Sequence, residues 1–385
     1  MKIFVFATKP YKDVKKFMKR GLDIMAKYKR IGVLTSGGDA PGMNAAVRAI
    51  TRKALEQNVE VVGILGGYSG LINEKIISMT PTTVSNIITK GGTFLYSDRC
   101  LEFKTEEGMQ KAVATCKKYN IEAIVAIGGD GTFRGATDLS LRGIPTIGVT
   151  GTIDNDITAT DYTIGFDTAM NSVLNMADML RDTCESHARC NVIEVMGRDC
   201  GQIALEAGIA AGAIAIAIPE LPFDEAAAIE AIKTAKNNGK RSMLVMVSEG
   251  VFEEVDGKKV PYGELLRKRI EEQTGIESKF ARLAHIVRGG APSLRDRLTA
   301  SKMGVKAVEL LLEGKSNLVV LEEDGKITSM DIVFAQMIDR MYKKKLKDGD
   351  LDKYSAEEIA EMEAVCEKRR LEIAELYEIA TAIAK

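Results

Sequence analysis

Residues able to cradle a phosphate, hold a metal ion and accept a proton occur together in one stretch, 126–156, which reads AIGGDGTFRGATDLSLRGIPTIGVTGTIDND. Two apolar runs fit for strands, 121–127 and 144–149, each end in a glycine-containing acidic turn. The first is Gly128-Gly129-Asp130-Gly131-Thr132 and the second Gly151-Thr152-Ile153-Asp154-Asn155-Asp156. In a parallel α/β sheet, ligands bind outside the carboxyl ends of the strands, where such turns lie. Glycines there admit positive φ and let backbone N–H groups approach phosphate oxygens. Asp130 offers a carboxylate for Mg²⁺, which in phosphate sites is typically held by one or two of them. Asp154 and Asp156 offer carboxylates that could take a proton from an attacking hydroxyl. Cradle, metal ligand and base are the parts of a phosphoryl-transfer site. Gly-Asp-Gly alone is a common turn sequence. Two acidic glycine turns at consecutive strand ends say more, because burying their carboxylates without a ligand would be costly.

These turns need a sheet to hold them, and the rest of the chain reads as one. The run 31–35 is apolar enough for a buried parallel strand and breaks at Ser36-Gly37-Gly38-Asp39-Ala40-Pro41-Gly42, before a helix pattern over 45–56. Strand, glycine-rich turn and helix N-terminus is the usual geometry for an anion. Further strands are expected at 59–65, 191–196, 213–218, 242–247 and 281–287, and helices at 167–183, 226–237, 261–274 and 301–312. Gly66–Gly70 is read as a turn, and Ser97-Asp98-Arg99 follows a third glycine break at Gly91-Gly92. Gly314-Lys315-Ser316 ends like a phosphate-binding Walker loop, but Glu309 stands where that loop needs glycine. Alternating strands and helices argue for an α/β fold with doubly wound, largely parallel sheets. A capping-box start, Ser355 and Glu358, opens a long charged helix to the end of the chain, whose Met362, Val365, Leu371, Ile373 and Leu376 would dock it. Residues 1–28 read as a basic extension, with an amphipathic helix over 14–28 and Met25 as a second possible start.

Composition excludes several classes. At 385 residues, with 45% hydrophobic and 28% charged side chains, the chain has the make-up of a soluble globular protein of two or three domains. A net charge of −1 gives no pull toward nucleic acid or an anionic membrane, and the lack of Trp argues against base-stacking platforms. Apolar runs such as 209–218 are too short to span a bilayer. Six cysteines without a Cys-x-x-Cys pair suggest free thiols in a reducing cytoplasm, Cys190 and Cys200 acting as small buried hydrophobes. Only His187 and His285 are present, which excludes a His-rich metal centre.

Six motifs in order carry a resemblance: Thr35 to Asn44 (TSGGDAPGMN), Gly128 to Thr132 (GGDGT), Gly151 to Asp156 (GTIDND), Glu194 to Arg198 (EVMGR), Ser248-Glu249-Gly250 and Arg288-Gly289-Gly290. With them the chain resembles the phosphofructokinase family, from Lys29 to about Phe334. The resemblance implies transfer of the γ-phosphoryl of ATP to the 1-hydroxyl of fructose 6-phosphate, in a cleft between two domains. Asp154 would be the general base, with Thr152 and Arg198 stabilising the transferring group and Asp130 holding Mg²⁺. ATP would rest on Gly38, Arg99, Cys100, Gly129, Gly131, Thr132 and Gly135, with Tyr68 nearby. The sugar phosphate would meet Thr152, Asp154, Asp156, Met196, Gly197, Arg198, Glu249, His285 and Arg288, with Arg189 and Lys279 reaching in from a neighbouring subunit of a homotetramer. The expected division is a nucleotide-binding domain of 29–165 and 287–337, and a substrate domain of 166–286 and 338–385.

The donor follows from two positions. Pyrophosphate-dependent relatives place Asp where Gly131 stands and Lys where Gly151 stands; glycine at both leaves room for an α-phosphate, so ATP is expected. A pyrophosphate-dependent enzyme and a silent sugar-phosphate-binding paralogue are the other readings, the latter requiring loss of Asp154, Asp130 or Arg198, all present. The chain departs from the family at Thr150, which replaces a proline before the second turn, and at Tyr96, Asp98, Lys279 and Val287. Of the bacterial effector site, Arg48, Arg52 and Arg181 match while Pro81, Ile214, Asn238 and Ser242 do not, which predicts weak or absent effector control.

Overall fold

The computed structural model describes residues 27–384. Strand β1 (Arg30–Thr35) is buried on both faces from Ile31 onward, as its unbroken apolar run requires. Helix α1 (Met43–Glu56) follows, then β2 (Glu60–Ile64), short α2 (Gly67–Ile72), β3 (Ile76–Met79) and α3 (Glu106–Lys118). Strand β4 (Ala123–Gly128) runs into α4 (Asp130–Leu141), and β5 (Thr146–Thr150) ends at the second acidic turn. Next come α5 (Phe166–His187), β6 (Cys190–Val195), α6 (Gln202–Ala210), β7 (Ala215–Ala217), α7 (Glu225–Asn237) and β8 (Met243–Ser248). A hairpin of β9 (Phe252–Val255) and β10 (Lys258–Pro261) precedes α8 (Tyr262–Thr274) and β11 (Ser278–Arg282). A 3-10 turn (Ala284–Arg288) and α9 (Leu294–Leu312) lead to a hairpin of β12 (Leu318–Glu323) and β13 (Lys326–Asp331), then α10 (Ile332–Tyr342) and α11 (Ala356–Ile383).

Two sheets result. Seven strands run in the order β13-β12-β5-β4-β1-β2-β3, the inner five parallel and both edge strands antiparallel. Four parallel strands form the second sheet, β11-β6-β8-β7. Mostly parallel sheets flanked by helices are the α/β class the sequence predicts. In the larger sheet the chain leaves β1 toward β2 and leaves β4 toward β5, so the order reverses between β1 and β4. Such a switch point opens a crevice at the carboxyl ends. Register sets those ends level, with Thr35 opposite Ile127 and Gly128 opposite Thr150.

Several expectations change. The strand expected over 281–287 is instead β11, three residues earlier, followed by the 3-10 turn. An edge strand carrying Lys279 and Arg282 is half exposed, so apolarity does not mark it, and Leu283 and Val287 after it are buried around the turn. Gly66–Gly70 is not a simple turn, since Gly67 starts α2. The expected domain boundary between 337 and 338 falls inside the continuous helix α10. Helix α11 has its expected capping box; of the residues expected to dock it on the body or a neighbouring subunit, Met362 and Ile373 are buried on the body and Leu371 is 54% exposed. Helix α11 packs on both α10 and α6. The helix expected over 14–28 lies outside the described residues but for positions 27 and 28.

Candidate active site

Three turns, after β1, β4 and β5, lie side by side and are tied to one another. Ser36 N–H donates to the Ile127 carbonyl at 3.0 Å, Gly151 N–H to Gly128 at 2.9 Å, and Thr132 Oγ1 to the Ser36 carbonyl at 3.0 Å. Neither α1 nor α4 has a side chain capping its first turn. Leading N–H groups left uncapped at a glycine turn suit a phosphate. A Cβ on Gly131 would meet nothing within 4 Å, so this edge of the cradle is open. Gly38 is the close approach, since a Cβ there would come 2.6 Å from Arg288 Nη1. A cavity of about 750 Å³ continues from the cradle, lined by Gly37, Gly38, Asp39, Gly66, Tyr96 and Asp98. Tyr96 holds φ 60° at its rim, its carbonyl accepting from Thr35 Oγ1 at 2.9 Å.

Not every residue expected at the nucleotide faces that space. Tyr68 is 5% exposed, stacked on Phe103 at 4.1 Å between centroids, and donates to the Thr132 carbonyl at 2.6 Å. A Cβ on Gly135 would strike the Tyr68 ring at 2.7 Å. Both therefore shape the back of the cradle, and burial raises the Tyr68 pKa further. Arg99 is exposed and Cys100 half-buried on the loop beyond Asp98. Gly151 differs from Gly131: its Cβ would lie 3.1 Å from Ile127 Cγ2 and 3.3 Å from Met43 Cε, inside the core.

Asp130 begins α4 at the mouth of the cradle. It pairs with Arg134 and accepts from Gln336 Nε2 at 2.9 Å. Among the described residues no group of three or more His, Cys, Asp or Glu side chains could enclose a metal. One accessible carboxylate beside a phosphate cradle still matches Mg²⁺, which keeps several waters and binds through one or two carboxylates plus phosphates.

The second turn is built differently. Asp154 is fully buried and neither of its carboxylate oxygens has a hydrogen-bond partner. Arg198 Nε lies 3.0 Å from Oδ2 and Arg288 Nη2 3.9 Å from Oδ1. Burial pushes the Asp154 pKa up, against Arg198 and then Arg288, while Glu249 adds to the rise. A buried carboxylate that is ion-paired but accepts no hydrogen bond is poised for a donor from outside. Thr152 Oγ1 accepts from Asp154 N–H at 3.2 Å, and the Thr152 carbonyl accepts from Thr163 Oγ1 at 2.6 Å. Asp156 is pushed up to about 6, by burial first, with Lys343 opposing. Thr150, in the place of the expected proline, is buried, paired in β5, and donates from Oγ1 to the Val320 carbonyl at 3.4 Å. Asn155 at φ 48° and Arg198 at φ 53° hold conformations uncommon for residues other than glycine. Such strain clusters at functional sites.

Facing this turn, Met196 is buried and Glu249 Oε1 accepts from Gly197 N–H at 3.3 Å and Arg198 N–H at 3.0 Å, fixing the loop that presents Arg198. Arg288 is buried and donates to the Asp39 carbonyl at 3.1 Å, which places it between the cradle and Asp154. His285 is exposed on the 3-10 turn. Arg189 and Lys279 share the Glu277 carboxylate, each at 2.8 Å, and hold its pKa down to about 2. They lie apart from Asp154, at the start of the β6–β11 pair.

Sequence reading missed the residues behind the second turn. Gln202 accepts from Asn155 Nδ2 at 2.6 Å, Cys200 donates to the Asn155 carbonyl at 3.8 Å, and Lys343 and Arg369 also reach the turn. One signal was present: Met362, Cys366 and Ile373 mark the buried face of α11, and helical spacing puts a charged residue, Arg369, on that same face.

The chain matches the phosphofructokinase family over residues 30–311. It is 51% identical over 318 residues to an ATP-dependent 6-phosphofructokinase 1 of Clostridium perfringens, covering 83% of this chain and 97% of that one. To an ATP-dependent 6-phosphofructokinase of Bacillus subtilis it is 52% identical over 305 residues, covering 79% and 93%. The structure of phosphofructokinase from Saccharomyces cerevisiae superposes with a TM-score of 0.78 at 29% identity, covering 91% of this chain and 49% of that one, so this chain spans about half the yeast chain's length. A pyrophosphate-dependent phosphofructokinase from Marinobacter aquaeolei, at 23% identity and a TM-score of 0.70, shares the fold. By the extent of the family match and of the identity to these relatives, the chain belongs to the phosphofructokinase family.

Proposed function

We propose that this chain transfers the γ-phosphoryl group of ATP to the 1-hydroxyl of fructose 6-phosphate, giving fructose 1,6-bisphosphate and ADP. The observation that carries it is Asp154: a buried carboxylate with no hydrogen-bond partner, facing two guanidinium groups, one strand from an open phosphate cradle. Asp154 would accept the hydroxyl proton, and a raised pKa makes it a stronger base than an ordinary aspartate. Arg198 and Thr152 would stabilise charge on the transferring group, as positioned donors do in phosphoryl transfer. Asp130 would hold Mg²⁺, which when bound neutralises phosphate charge, after Arg134 and Gln336 give up part of their hold. ATP as donor is supported by the names of the bacterial relatives and by the open space at Gly131.

The finer assignments are part of the same proposal. Gly38, Gly129, Gly131 and Thr132 would meet the phosphates of ATP, with Arg99 and Cys100 beside the rest of the nucleotide. Asp156, Met196, Gly197, Glu249, His285 and Arg288 would surround the sugar phosphate. Arg189 and Lys279 lie too far along the sheet edge to serve the same chain's Asp154, which supports their use across a subunit interface of a homotetramer. The larger sheet would carry the nucleotide and the smaller one the sugar. No helix among the described residues is long and apolar enough to cross a membrane. The likeness to bacterial ATP-dependent 6-phosphofructokinases supports a cytoplasmic enzyme of glycolysis.

The test is the initial rate with fructose 6-phosphate and Mg²⁺, with ATP and pyrophosphate supplied in separate assays. Turnover with ATP alone is expected. Turnover with pyrophosphate would refute the donor assignment, and no turnover with either would refute catalysis.

A further inference from the structure

Helix α11 buries five residues, and Arg369 is the only charged one among them, 6% exposed between Cys366 and Ile373. A guanidinium on a buried helix face is costly unless its donors are met. Its Nη2 donates to the Asn155 carbonyl at 2.9 Å and to Gln202 Oε1 at 2.7 Å, and Glu372 lies 4.0 Å from Nη1. Gln202 uses the same oxygen to accept from Asn155 Nδ2 at 2.6 Å, so the side chain and carbonyl of Asn155 are held by one network. The next carbonyl along, that of Asp156, accepts from Lys343 Nζ at 2.8 Å. Lys343 follows α10 and is itself anchored by Asp339 at 2.7 Å. Asp339 also accepts from Thr158 N–H at 3.2 Å and Thr158 Oγ1 at 2.7 Å, just past the turn.

Two consecutive carbonyls of the turn are thus each gripped by a cation from the last part of the chain, past the end of the family model at residue 311. Asn155 sits between Asp154 and Asp156 at φ 48°, a conformation that relaxes readily unless its surroundings hold it. Both carbonyls lie one and two residues past Asp154, so holding them holds Asn155 and, through it, the backbone that carries Asp154. We propose that Arg369 and Lys343 form a clamp that makes α10 and α11 a positioning element for the catalytic turn. The proposal rests on the assignment of Asp154 as the base. Arg369 is buried behind the turn and acts through Asn155.

Arg369→Met, Arg369→Lys, Lys343→Met and Asp154→Asn would be assayed together for kcat, both KM values and Tm. A misplacement of about 1 Å costs on the order of 10²-fold, so Arg369→Met is expected to lower kcat by about that factor with KM for ATP unchanged. Arg369→Lys should recover part of the loss, because an ammonium can still reach one of the two acceptors. Lys343→Met should act in the same sense. Unchanged kcat in Arg369→Met with a lowered Tm would overturn the clamp, leaving Arg369 a folding residue only. Should Arg369→Met not fold, Gln202→Met removes one acceptor of the network, and the same split between kcat and Tm decides. Full turnover by Asp154→Asn would sink the base assignment instead, whatever Arg369→Met does; a dead Asp154→Asn beside a fully active Arg369→Met would sink the clamp alone.

Discussion

The two acidic turns solve opposite problems with the same residue types. The turn after β4 is open: Gly131 has empty space around it, and α4 begins there without a side-chain cap. The turn after β5 is closed: Asp154 is fully buried, and its neighbours are held by Thr163, Gln202, Lys343 and Arg369. A phosphate brings its own charge and can be met by backbone N–H groups that any glycine turn provides. A base has to be aimed at one proton, so its backbone must be fixed before the substrate arrives. The first turn is therefore cheap in partners, and the second gathers them from distant parts of the chain.

Removing the base should give the largest effect. Asp154→Asn is expected to lower kcat roughly 10³-fold while ATP binding, measured by fluorescence titration or KM, stays near wild type. Equal loss of ATP binding would mean that the two turns are not separable. A carboxylate in the open turn should come next: Gly131→Asp sets a negative charge against the donor's phosphates and should cut kcat/KM for ATP by about 10²-fold or more. Its Tm should not move, because the new Cβ meets nothing. Gly151→Lys is the contrast, since its side chain must displace Ile127 and Met43 and should lower Tm outright.

Proton linkage sharpens the comparison further. Asp156, pushed up to about 6 by burial, favours the folded state fully below the unfolded value and loses that contribution as pH rises through 6. Between about pH 4 and about pH 7 the wild type should lose about 2–3 kcal/mol through this group, and Asp156→Asn should lack that part of the slope in denaturant titrations. Identical slopes would show that Asp156 is not desolvated. The smallest effect is on Asp154. Since it acts ionised and its pKa is raised, kcat should fall on the acid side at a pH above the ordinary aspartate value. Glu249→Gln removes a negative charge that adds to the rise and should move that limb to lower pH by less than about one unit. A limb moving upward would reverse the assigned sign.

How much could be read beforehand differs between the turns for the same reason. Strands such as β1, β4 and β5 are buried on both faces, so unbroken apolar runs mark them; edge strand β11 carries Lys279 and Arg282, and its position was misjudged. The β12–β13 hairpin and α10 went unread, yet α10 supplies Gln336 to Asp130 and leads to Lys343. The family resemblance implies Tyr68 and Gly135 at the nucleotide, but their packing behind the cradle depends on what surrounds them in space.

By itself the sequence determined the alternation of strands and helices, the glycine turns and which carboxylates they carry, because these depend on residues adjacent in the chain. Only the tertiary structure decided that Asp154 is buried without a hydrogen-bond partner, that Arg288 leans from Gly38 toward it, and that Arg369 grips the carbonyl of Asn155 from 214 positions away. Burial and hydrogen-bond partnership are properties of what surrounds a residue in space, and no local pattern contains them.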